Sequence, residues 1–343
     1  MELTRVGPGH HHMRKFLNNP ERFADEALEG LLLAHPGRAR RLPEEPRAVV
    51  RADGSQRGRV AIATGGGSGH LPLFVGYVVR GLADGCAVGN MFASPSTEVM
   101  LAVTRAIDSG KGVLYLYGNY GGDRINFEAA ADLAGDHGIA VESVRAADDI
   151  LSAPAEQAAQ RRGIAGIFFG YAVAAGAAHE GRDLAEVAAL TRYALSRTRS
   201  IGVALSGAIL PTVGAPNFEL GPDEMEIGTG IHGEPGTRRG PLVTADELVE
   251  EMVPQLITEL GLSAGDEVAV LVNGLGATPR EELYLIYRGV HQLLEKAQVT
   301  PRHVFVGEYA TSLEMAGASI SLLHLDETVE PLIAAAAAAQ APA

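Results

Sequence analysis

The sequence predicts an α/β protein with two α/β domains, of which the N-terminal one has a largely parallel sheet. The chain has 343 residues, more than a single domain usually contains. Hydrophobic residues make up 46% of it and charged residues 20%, which is enough apolar material to bury a core. Short apolar segments alternate with amphipathic ones, the order expected when helices connect parallel strands. We therefore place an N-terminal domain at residues 13–199 and a C-terminal domain at residues 200–330.

The N-terminal domain is predicted to begin with a helix and to continue with alternating strands and helices. Asn18 and Asn19 are good N-cap residues and Pro20 suits a first turn, so the first helix is expected to run to Leu33. Apolar segments predict strands at residues 49–53, 59–64, 86–88, 113–117 and 139–144. Composition and apolar spacing predict helices at residues 96–109, 123–137, 163–178 and 183–200.

The C-terminal domain is predicted from the same patterns, and both chain ends are expected to lie outside the domains. Strands are predicted at residues 203–205, 225–227, 268–273, 304–308 and 320–325, and helices at residues 245–260 and 279–295. Residues 1–12, which end in three histidines, are interpreted as a leader or tag rather than a metal site. Residues 331–343 form a low-complexity tail with the alanine run of a frayed helix, and we assign them no function.

Composition and charge exclude several classes of function. Cys86 is the single cysteine, so a disulfide within the chain and a cysteine-based zinc site are impossible. Its apolar surroundings predict a buried small hydrophobic residue rather than a nucleophile. The formal net charge of −14 opposes non-specific binding to nucleic acids or anionic membranes. Since no apolar run is long enough to span a membrane and no secretion signal is visible, a cytoplasmic protein is expected.

The first glycine-rich segment, residues 64–70, follows a predicted strand. Its glycines would let backbone N–H groups approach a ligand, and a helix N-terminus is expected after it. No Gly-Lys-Ser/Thr follows, so it is not a phosphate-binding Walker A loop, and it fits the dinucleotide fingerprint poorly. A ligand-binding loop is favoured over a plain turn between strand and helix.

Two further glycine-rich segments each carry one residue that could do chemistry. Asp123 follows a strand at the edge where ligands bind in open α/β sheets, so it could accept a proton from a substrate hydroxyl. It could equally cap the helix beside it. His232 lies among four glycines in residues 228–236, where an imidazole could serve as base, ligand or nucleophile. A surface histidine without function is the alternative.

The remaining motifs predict a structural role for one segment and argue against a hydrolase and a metal site. Residues 272–279 are interpreted as a strand, a tight turn and a helix start, and their glycines would allow close packing at a domain or subunit contact. A Ser–His–Asp hydrolase built from Ser68, His232 and Asp123 is disfavoured because the usual Gly-x-Ser-x-Gly elbow is missing. We predict no metal site, since no two histidines are four residues apart on a helix and His70 is far from His232 in sequence.

Taken together, these segments resemble the substrate-binding (K) subunit of the bacterial dihydroxyacetone kinase family. The resemblance extends from Met13 to about Asp326. The matching segments are residues 16–20, 31–36, 65–70, 119–123, 126–128, 161–163, 200–205, 230–236, 273–279 and 311–315. The Gly-Ile-His-Gly-Glu-Pro-Gly segment around His232 is the most specific of them.

The resemblance implies two α/β domains, a homodimer and a covalent mode of substrate binding. His232 would attack the carbonyl of a short-chain ketose and form a hemiaminal, which glycerol cannot do because it has no carbonyl. His70 would be the acid–base partner of this reaction, and Asp123 the general base for the hydroxyl that is phosphorylated. The remaining substrate contacts implied are Gly67, Ser68, Gly69 and Ser94.

The resemblance also implies which components lie outside this chain. No cofactor is expected here, and ATP or ADP with Mg²⁺ would belong to a nucleotide-binding partner subunit. A phosphotransferase-system relay protein is a further expected partner. A non-catalytic paralogue that senses the ketose or acts as a co-regulator is the alternative function. The presence of His70, Asp123 and His232 together favours catalysis.

Several positions depart from the family pattern. Leu71 stands where Glu is usual, Gly118 where Lys is usual and Gly121 where Thr is usual, and residues 206–211 replace a more polar run. The missing Lys removes a donor, and the two glycines are expected to enlarge the site. We therefore predict that a ketose bulkier than dihydroxyacetone, such as erythrulose or a branched pentulose, is accepted.

Overall fold

The computed structural model describes residues 15–54 and 56–339, and it has two six-stranded sheets. The predicted leader at residues 1–12 and the last four residues of the predicted tail lie outside this range. The predicted α/β class is confirmed. In the described part of the chain, no helix is both long enough and apolar enough to cross a membrane.

The first sheet is mostly parallel, as predicted. Its strands are β1 (Ala39–Arg41), β2 (Ala48–Arg51), β3 (Ala61–Ser68), β4 (Gly85–Met91), β5 (Val113–Gly118) and β6 (Val141–Ala146). Their order is β1-β2-β4-β3-β5-β6. Strand β3 is parallel to both β4 and β5, and β5 is parallel to β6, whereas the β1–β2 and β2–β4 pairs are antiparallel.

The second sheet is mostly antiparallel. Its strands are β7 (Thr198–Ala204), β8 (Glu224–Ile227), β9 (Arg238–Pro241), β10 (Glu267–Gly274), β11 (Thr300–Gly307) and β12 (Gly317–His324). Their order is β11-β10-β12-β7-β8-β9, and β10 with β11 is the parallel pair. The predicted domain boundary at 199/200 falls inside β7, which belongs wholly to this sheet.

Eight α-helices accompany the sheets in the described residues. They are α1 (Phe23–Ala34), α2 (Thr97–Ile107), α3 (Gly121–Asp136), α4 (Ile167–His179), α5 (Leu184–Ser196), α6 (Ala245–Leu260), α7 (Arg280–Lys296) and α8 (Glu330–Ala339). Helix α6 begins with a capping box between Thr244 and Glu247 and ends at Gly261, whose φ of 65° is the left-handed conformation that glycine favours.

Helix α4 joins the two sheets. Nearly all of its side chains are buried, which agrees with its composition of small and apolar residues. The Phe168 ring lies 6.2 Å from that of Tyr77, which follows β3, and 4.9 Å from that of Phe305 on β11. Apolar contact therefore continues from one sheet to the other through α4.

Several features of the chain differ from prediction. The predicted helix at residues 183–200 ends at Ser196, and β7 begins at Thr198. Leu332 and Ile333 of the predicted tail are buried in the core rather than outside the domains.

Strand β3 continues through the glycines to Ser68, and a short 3₁₀ turn at Phe74–Tyr77 follows it instead of an α-helix. Strands β1 and β9 were not predicted because arginines interrupt any apolar alternation in them. Both are edge strands, where charged side chains are common because they discourage pairing with other chains.

Candidate active site

The predicted site residues of the first sheet lie where three neighbouring strands end. Strands β3 and β5 are parallel neighbours, and the chain continues from β3 to β4 on one side and from β5 to β6 on the other. Such a switch point opens a crevice at the carboxyl ends of the strands. Residues 67–70 end β3, residues 92–94 follow β4 and residues 119–123 follow β5. The fold therefore brings together the segments that carry His70, Ser94 and Asp123.

Glycines let the end of β3 pack directly against the segment after β4. A Cβ on Gly67 would lie 2.7 Å from the backbone nitrogen of Ala93, and one on Gly69 would lie 2.6 Å from the Phe92 ring. Gly69 also has φ +108°, a conformation that other residues rarely adopt. Ser68 donates its hydroxyl hydrogen to the Gly89 carbonyl at 2.8 Å and makes no hydrogen bond to a histidine among the described residues. The disfavoured hydrolase triad is thus not formed.

His70 is buried and has one ring nitrogen without a partner. Its Nδ1 lies 2.8 Å from the Thr311 carbonyl oxygen, which can only accept, so Nδ1 carries the proton. Its Nε2 has no hydrogen-bond partner among the described residues. Burial, together with the nearby His232, lowers the pKa of His70 to about 3. His70 is therefore neutral over the ordinary pH range, with Nε2 available as an acceptor.

His232 lies on the loop between β8 and β9, and its ring meets residues of the first sheet. The ring centroid is 4.7 Å from that of His70 and 4.7 Å from that of Tyr120, with an edge-on arrangement in both cases. The side chain is 23% exposed, so the ring is open to a ligand rather than buried in the core. Asn217 donates to the His232 carbonyl at 2.7 Å and fixes the loop.

Glu234 orients the His232 ring. One carboxylate oxygen accepts the His232 backbone N–H at 2.9 Å, and the other lies 3.1 Å from Nδ1. Since a carboxylate only accepts, Nδ1 holds the proton and Nε2 keeps its lone pair. Burial opposes the ionisation of Glu234, but the hydrogen bond and charge interaction with His232, its own backbone N–H and the Arg162 guanidinium outweigh it and hold its pKa at about 2.

Asp123 is a buried carboxylate on the first turn of α3. Its Oδ1 has no hydrogen-bond partner among the described residues, and the N-cap position belongs to Tyr120. The alternative that Asp123 merely caps this helix is therefore wrong. Burial raises the pKa of Asp123 to about 6, although the Ser94 hydroxyl and His232 oppose the shift. Asn126 donates to the Ser94 oxygen at 3.3 Å, which places Ser94 beside this turn.

Gly118 and Gly121, the two glycines that depart from the family pattern, differ in the space around their Cβ positions. A Cβ on Gly118 would lie 2.9 Å from the Tyr120 ring, so the room expected there is occupied by Tyr120. A Cβ on Gly121 would meet no atom within 4 Å. Of the two positions, Gly121 alone leaves the adjoining space unoccupied, and this residue is exposed to solvent.

A cavity of about 410 Å³ lies on the other side of residues 67–70, toward helix α1. Its lining is largely apolar and includes Phe23 and Leu28 of α1. His70 also borders it, but Asp123 and His232 do not. The cavity thus shares His70 with the cluster but does not reach His232 or Asp123.

Sequence reasoning missed several residues of this cluster. Glu234 was visible as a carboxylate two residues after His232, and Asn126 belongs to a segment that was already recognised. Phe92 and Tyr120 adjoin Ser94 and Asn119 in sequence but gave no signal of their contact with His232. Thr311 belongs to the matching segment 311–315, but it lies 241 residues from His70 and nothing in the sequence showed that its carbonyl contacts that ring.

Two further side-chain predictions concern metals and Cys86. The described residues contain no group of three or more His, Cys, Asp or Glu side chains placed to hold a metal ion. Cys86 is buried in β4, as predicted, and burial raises the pKa of its thiol.

Comparisons with known proteins agree on one family. The Dak1 domain family matches residues 29–341. The PTS-dependent dihydroxyacetone kinase 2, dihydroxyacetone-binding subunit DhaK, of Listeria innocua is 44% identical over 94% of this chain and 96% of that protein. The L-erythrulose kinase of Pectobacterium atrosepticum is 44% identical over 93% of this chain, which spans 54% of that protein. The structure of the dihydroxyacetone kinase operon co-activator Dha-DhaQ matches with a TM-score of 0.83 and 31% identity, over 90% of this chain and 94% of its own.

Proposed function

The chain belongs to the Dak1 family of dihydroxyacetone kinase substrate-binding subunits, and we propose that it holds a short-chain ketose covalently on His232 for phosphorylation by a partner. The observation that supports the proposal is the edge-on approach of the His232 and His70 rings, with 4.7 Å between their centroids and the Nε2 lone pair free on both. Asp123 is near enough to His232 for the charge of that ring to oppose the rise in the carboxyl pKa. The partner would be a nucleotide-bearing kinase subunit in the same cytoplasm.

The first step is addition of His232 to the ketose carbonyl. The Nε2 lone pair forms a bond to the carbonyl carbon, and the C=O π pair moves to oxygen, which takes up a proton from solvent. The ring retains its Nδ1 proton, so it becomes positively charged, and the Glu234 carboxylate at 3.1 Å compensates this charge. His70 accepts a hydrogen bond from the new hydroxyl through Nε2, and the hydroxyl proton returns to solvent when the adduct dissociates.

The second step is transfer of a phosphoryl group to a terminal hydroxyl of the bound ketose. Asp123 accepts the hydroxyl proton while the oxygen attacks phosphorus and the bond to the leaving group breaks. A base whose pKa is about 6 is well matched to this task near neutral pH, because it is ionised and still basic enough. The phosphoryl group comes from the partner, which is expected to bring ATP or ADP with Mg²⁺.

The ketose is proposed to be dihydroxyacetone or a C4 or C5 ketose such as erythrulose. A relative named for dihydroxyacetone binding and one named L-erythrulose kinase have the same identity to this chain. We propose that Gly121, which is exposed and whose Cβ position meets no atom within 4 Å, leaves room for a ketose longer than three carbons. A homodimer and a phosphotransferase relay remain part of the proposal through the family.

The covalent step is tested by intact-protein mass spectrometry with dihydroxyacetone and erythrulose. We expect a mass increase equal to one whole ketose, without loss of water, and none in His232→Ala. His137→Ala removes an exposed histidine at the end of α3 and serves as the matched control. An adduct that persists in His232→Ala would contradict the proposal.

A ketose-binding co-regulator is the second candidate, and the match to the co-activator structure favours keeping it. Both candidates form the adduct, but only the kinase subunit needs Asp123. Phosphorylation of the ketose is therefore measured with a nucleotide-loaded partner subunit from a related bacterium. Turnover that is lost in Asp123→Asn while the adduct remains establishes the kinase role, and an adduct without turnover establishes the co-regulator.

A further inference from the structure

Strained backbone is concentrated around His70. Four non-glycine residues in the described chain have positive φ, and three of them contact the segment that bears His70. Phe92, at φ 54°, stacks on the His70 ring with a centroid distance of 4.9 Å and an interplanar angle of 18°. Phe74, at φ 67°, meets the same ring edge-on at 6.0 Å. Leu313, at φ 53°, donates its N–H to the Gly69 carbonyl at 2.8 Å. Residues with bulky side chains avoid positive φ angles, and backbone strain of this kind clusters at functional sites.

The segment at residues 309–313, between β11 and β12, contacts the His70 ring at Nδ1. The Asn273 side chain accepts the N–H groups of Tyr309 and Ala310, both at 2.8 Å, and donates to the Ala310 carbonyl at 2.9 Å. Gly276 lets the chain return closely, since a Cβ there would lie 1.8 Å from the Leu313 carbonyl oxygen. The glycine-rich motif at residues 272–279 therefore supports the segment at residues 309–313. That segment presents the Thr311 carbonyl to Nδ1 of His70.

We propose that Phe92 is a positioning residue of the catalytic site, which together with the carbonyl of Thr311 holds His70 as the Nδ1–H tautomer with Nε2 free for the ketose. The stacked Phe92 ring covers one face of the imidazole and prevents its rotation, and the carbonyl selects the nitrogen that carries the proton. This inference rests on the proposed role of His70, but the tautomer itself does not depend on ketose chemistry.

The titratable groups that face His70 are His232 and Glu234. Charge on His232 would lower the pKa of His70, and the Glu234 carboxylate raises it, but burial has the largest effect. Phe92 contributes to that burial and also lies 5.4 Å from the His232 ring. Loss of the Phe92 ring would admit water to the face of His70 and move its pKa from about 3 toward its usual value of 6.5.

The test is nitrogen-15 NMR of the histidine rings across pH in the wild type and two variants. In the wild type we expect His70 to remain the Nδ1–H tautomer down to pH 4. In Phe92→Leu, which keeps apolar bulk but loses the stack, we expect mixed tautomers and a titration above pH 5. Phe92→Tyr keeps the ring and should restore the wild-type signal. Tyr284→Leu, at an exposed aromatic residue on α7, is the matched control.

Three outcomes would overturn the proposal. The first is a wild-type His70 that is the Nε2–H tautomer or titrates near pH 6.5, which needs no variant and so cannot be lost to misfolding. The second is a Phe92→Leu spectrum identical to that of the wild type. The third is a Phe92→Tyr variant that behaves like Phe92→Leu. A wild type that shows the expected tautomer but forms no ketose adduct would overturn the proposed function and leave this inference standing.

Discussion

Replacing Glu234 with glutamine is expected to weaken ketose binding about thirtyfold while leaving the fold intact. The carboxylate accepts two hydrogen bonds from His232, one from the backbone N–H at 2.9 Å and one from Nδ1 at 3.1 Å. Glutamine has one acceptor oxygen in place of two, so one of the two donors loses its partner. The positive charge that develops on the ring after addition also loses its counter-charge.

The magnitude follows from the energy of one hydrogen bond to a charged group. Such a bond contributes about 1.5–3 kcal/mol, and the side chains here are partly open to solvent, so we take about 2 kcal/mol. Since about 1.4 kcal/mol corresponds to tenfold in an equilibrium constant, the dissociation constant should rise about thirtyfold. The pKa of about 2 means that Glu234 is ionised in every practical buffer, so the weakening should be the same from pH 6 to pH 8.

The assay is titration of the covalent adduct by intact-protein mass spectrometry, with thermal unfolding measured in parallel. Glu219→Gln makes the same change of charge at an exposed position in the chain before β8 and should bind as the wild type does. A dissociation constant within twofold of the wild-type value in Glu234→Gln would refute the assignment of the Nδ1 proton and of the role of Glu234.

Four further substitutions test the rest of the site. Asp123→Asn should lower kcat about 10²–10⁴-fold without loss of the adduct. Folding raises the pKa of Asp123 from 3.8 to about 6. Ionising this carboxyl therefore lowers the free energy of unfolding as the pH rises from about 4 to about 6. The variant should therefore be more stable than the wild type above pH 6, by at most about 3 kcal/mol, and equally stable below pH 4 in urea unfolding. Gly69→Ala should destabilise the fold by about 2 kcal/mol or more, because Gly69 has φ +108° and a Cβ there would contact the Phe92 ring. Gly121→Ala should change the free energy of unfolding by no more than about 0.5 kcal/mol, and equal melting curves for the two variants would contradict this. Gly121→Thr should lower kcat/KM for erythrulose relative to dihydroxyacetone about tenfold, and an unchanged ratio would remove the proposed role of the open space.

The fold was largely predictable because its elements depend on local patterns, and the exceptions have physical reasons. The glycines of β3 suggest a loop, since glycine forms strands poorly. They form a strand because β4 pairs with this region, through Ala87 and Val88, and because aromatic rings pack against it. A Cβ on Gly65 would lie 2.8 Å from the Phe127 ring, and one on Gly66 would lie 2.2 Å from the Phe74 ring. That requirement comes from tertiary packing and is invisible in the local pattern.

The site was predictable where strand ends determine it and not where the second sheet contributes. His70, Ser94 and Asp123 each follow a strand of one parallel sheet, so their meeting follows from the rule for switch points. His232 was found by its glycine surroundings and by family resemblance, and its position beside Tyr120 depends on how the sheets pack. The Thr311 carbonyl is a backbone group, and no side-chain pattern marks it.

The division of the site between the two sheets has a consequence for its stability. His70 follows a strand of the first sheet, but the Thr311 carbonyl that fixes the proton on its Nδ1 lies between two strands of the second. His232 lies between two strands of the second sheet, but its ring contacts Tyr120 and Phe92, which follow strands of the first. Neither imidazole therefore has its working geometry in one sheet alone. The sheets are joined through the buried helix α4, whose Phe168 ring contacts aromatic rings from both. The proposed ketose binding would require this packing, so a ligand that bridges His232 and His70 should stabilise the two sheets as one cooperative unit.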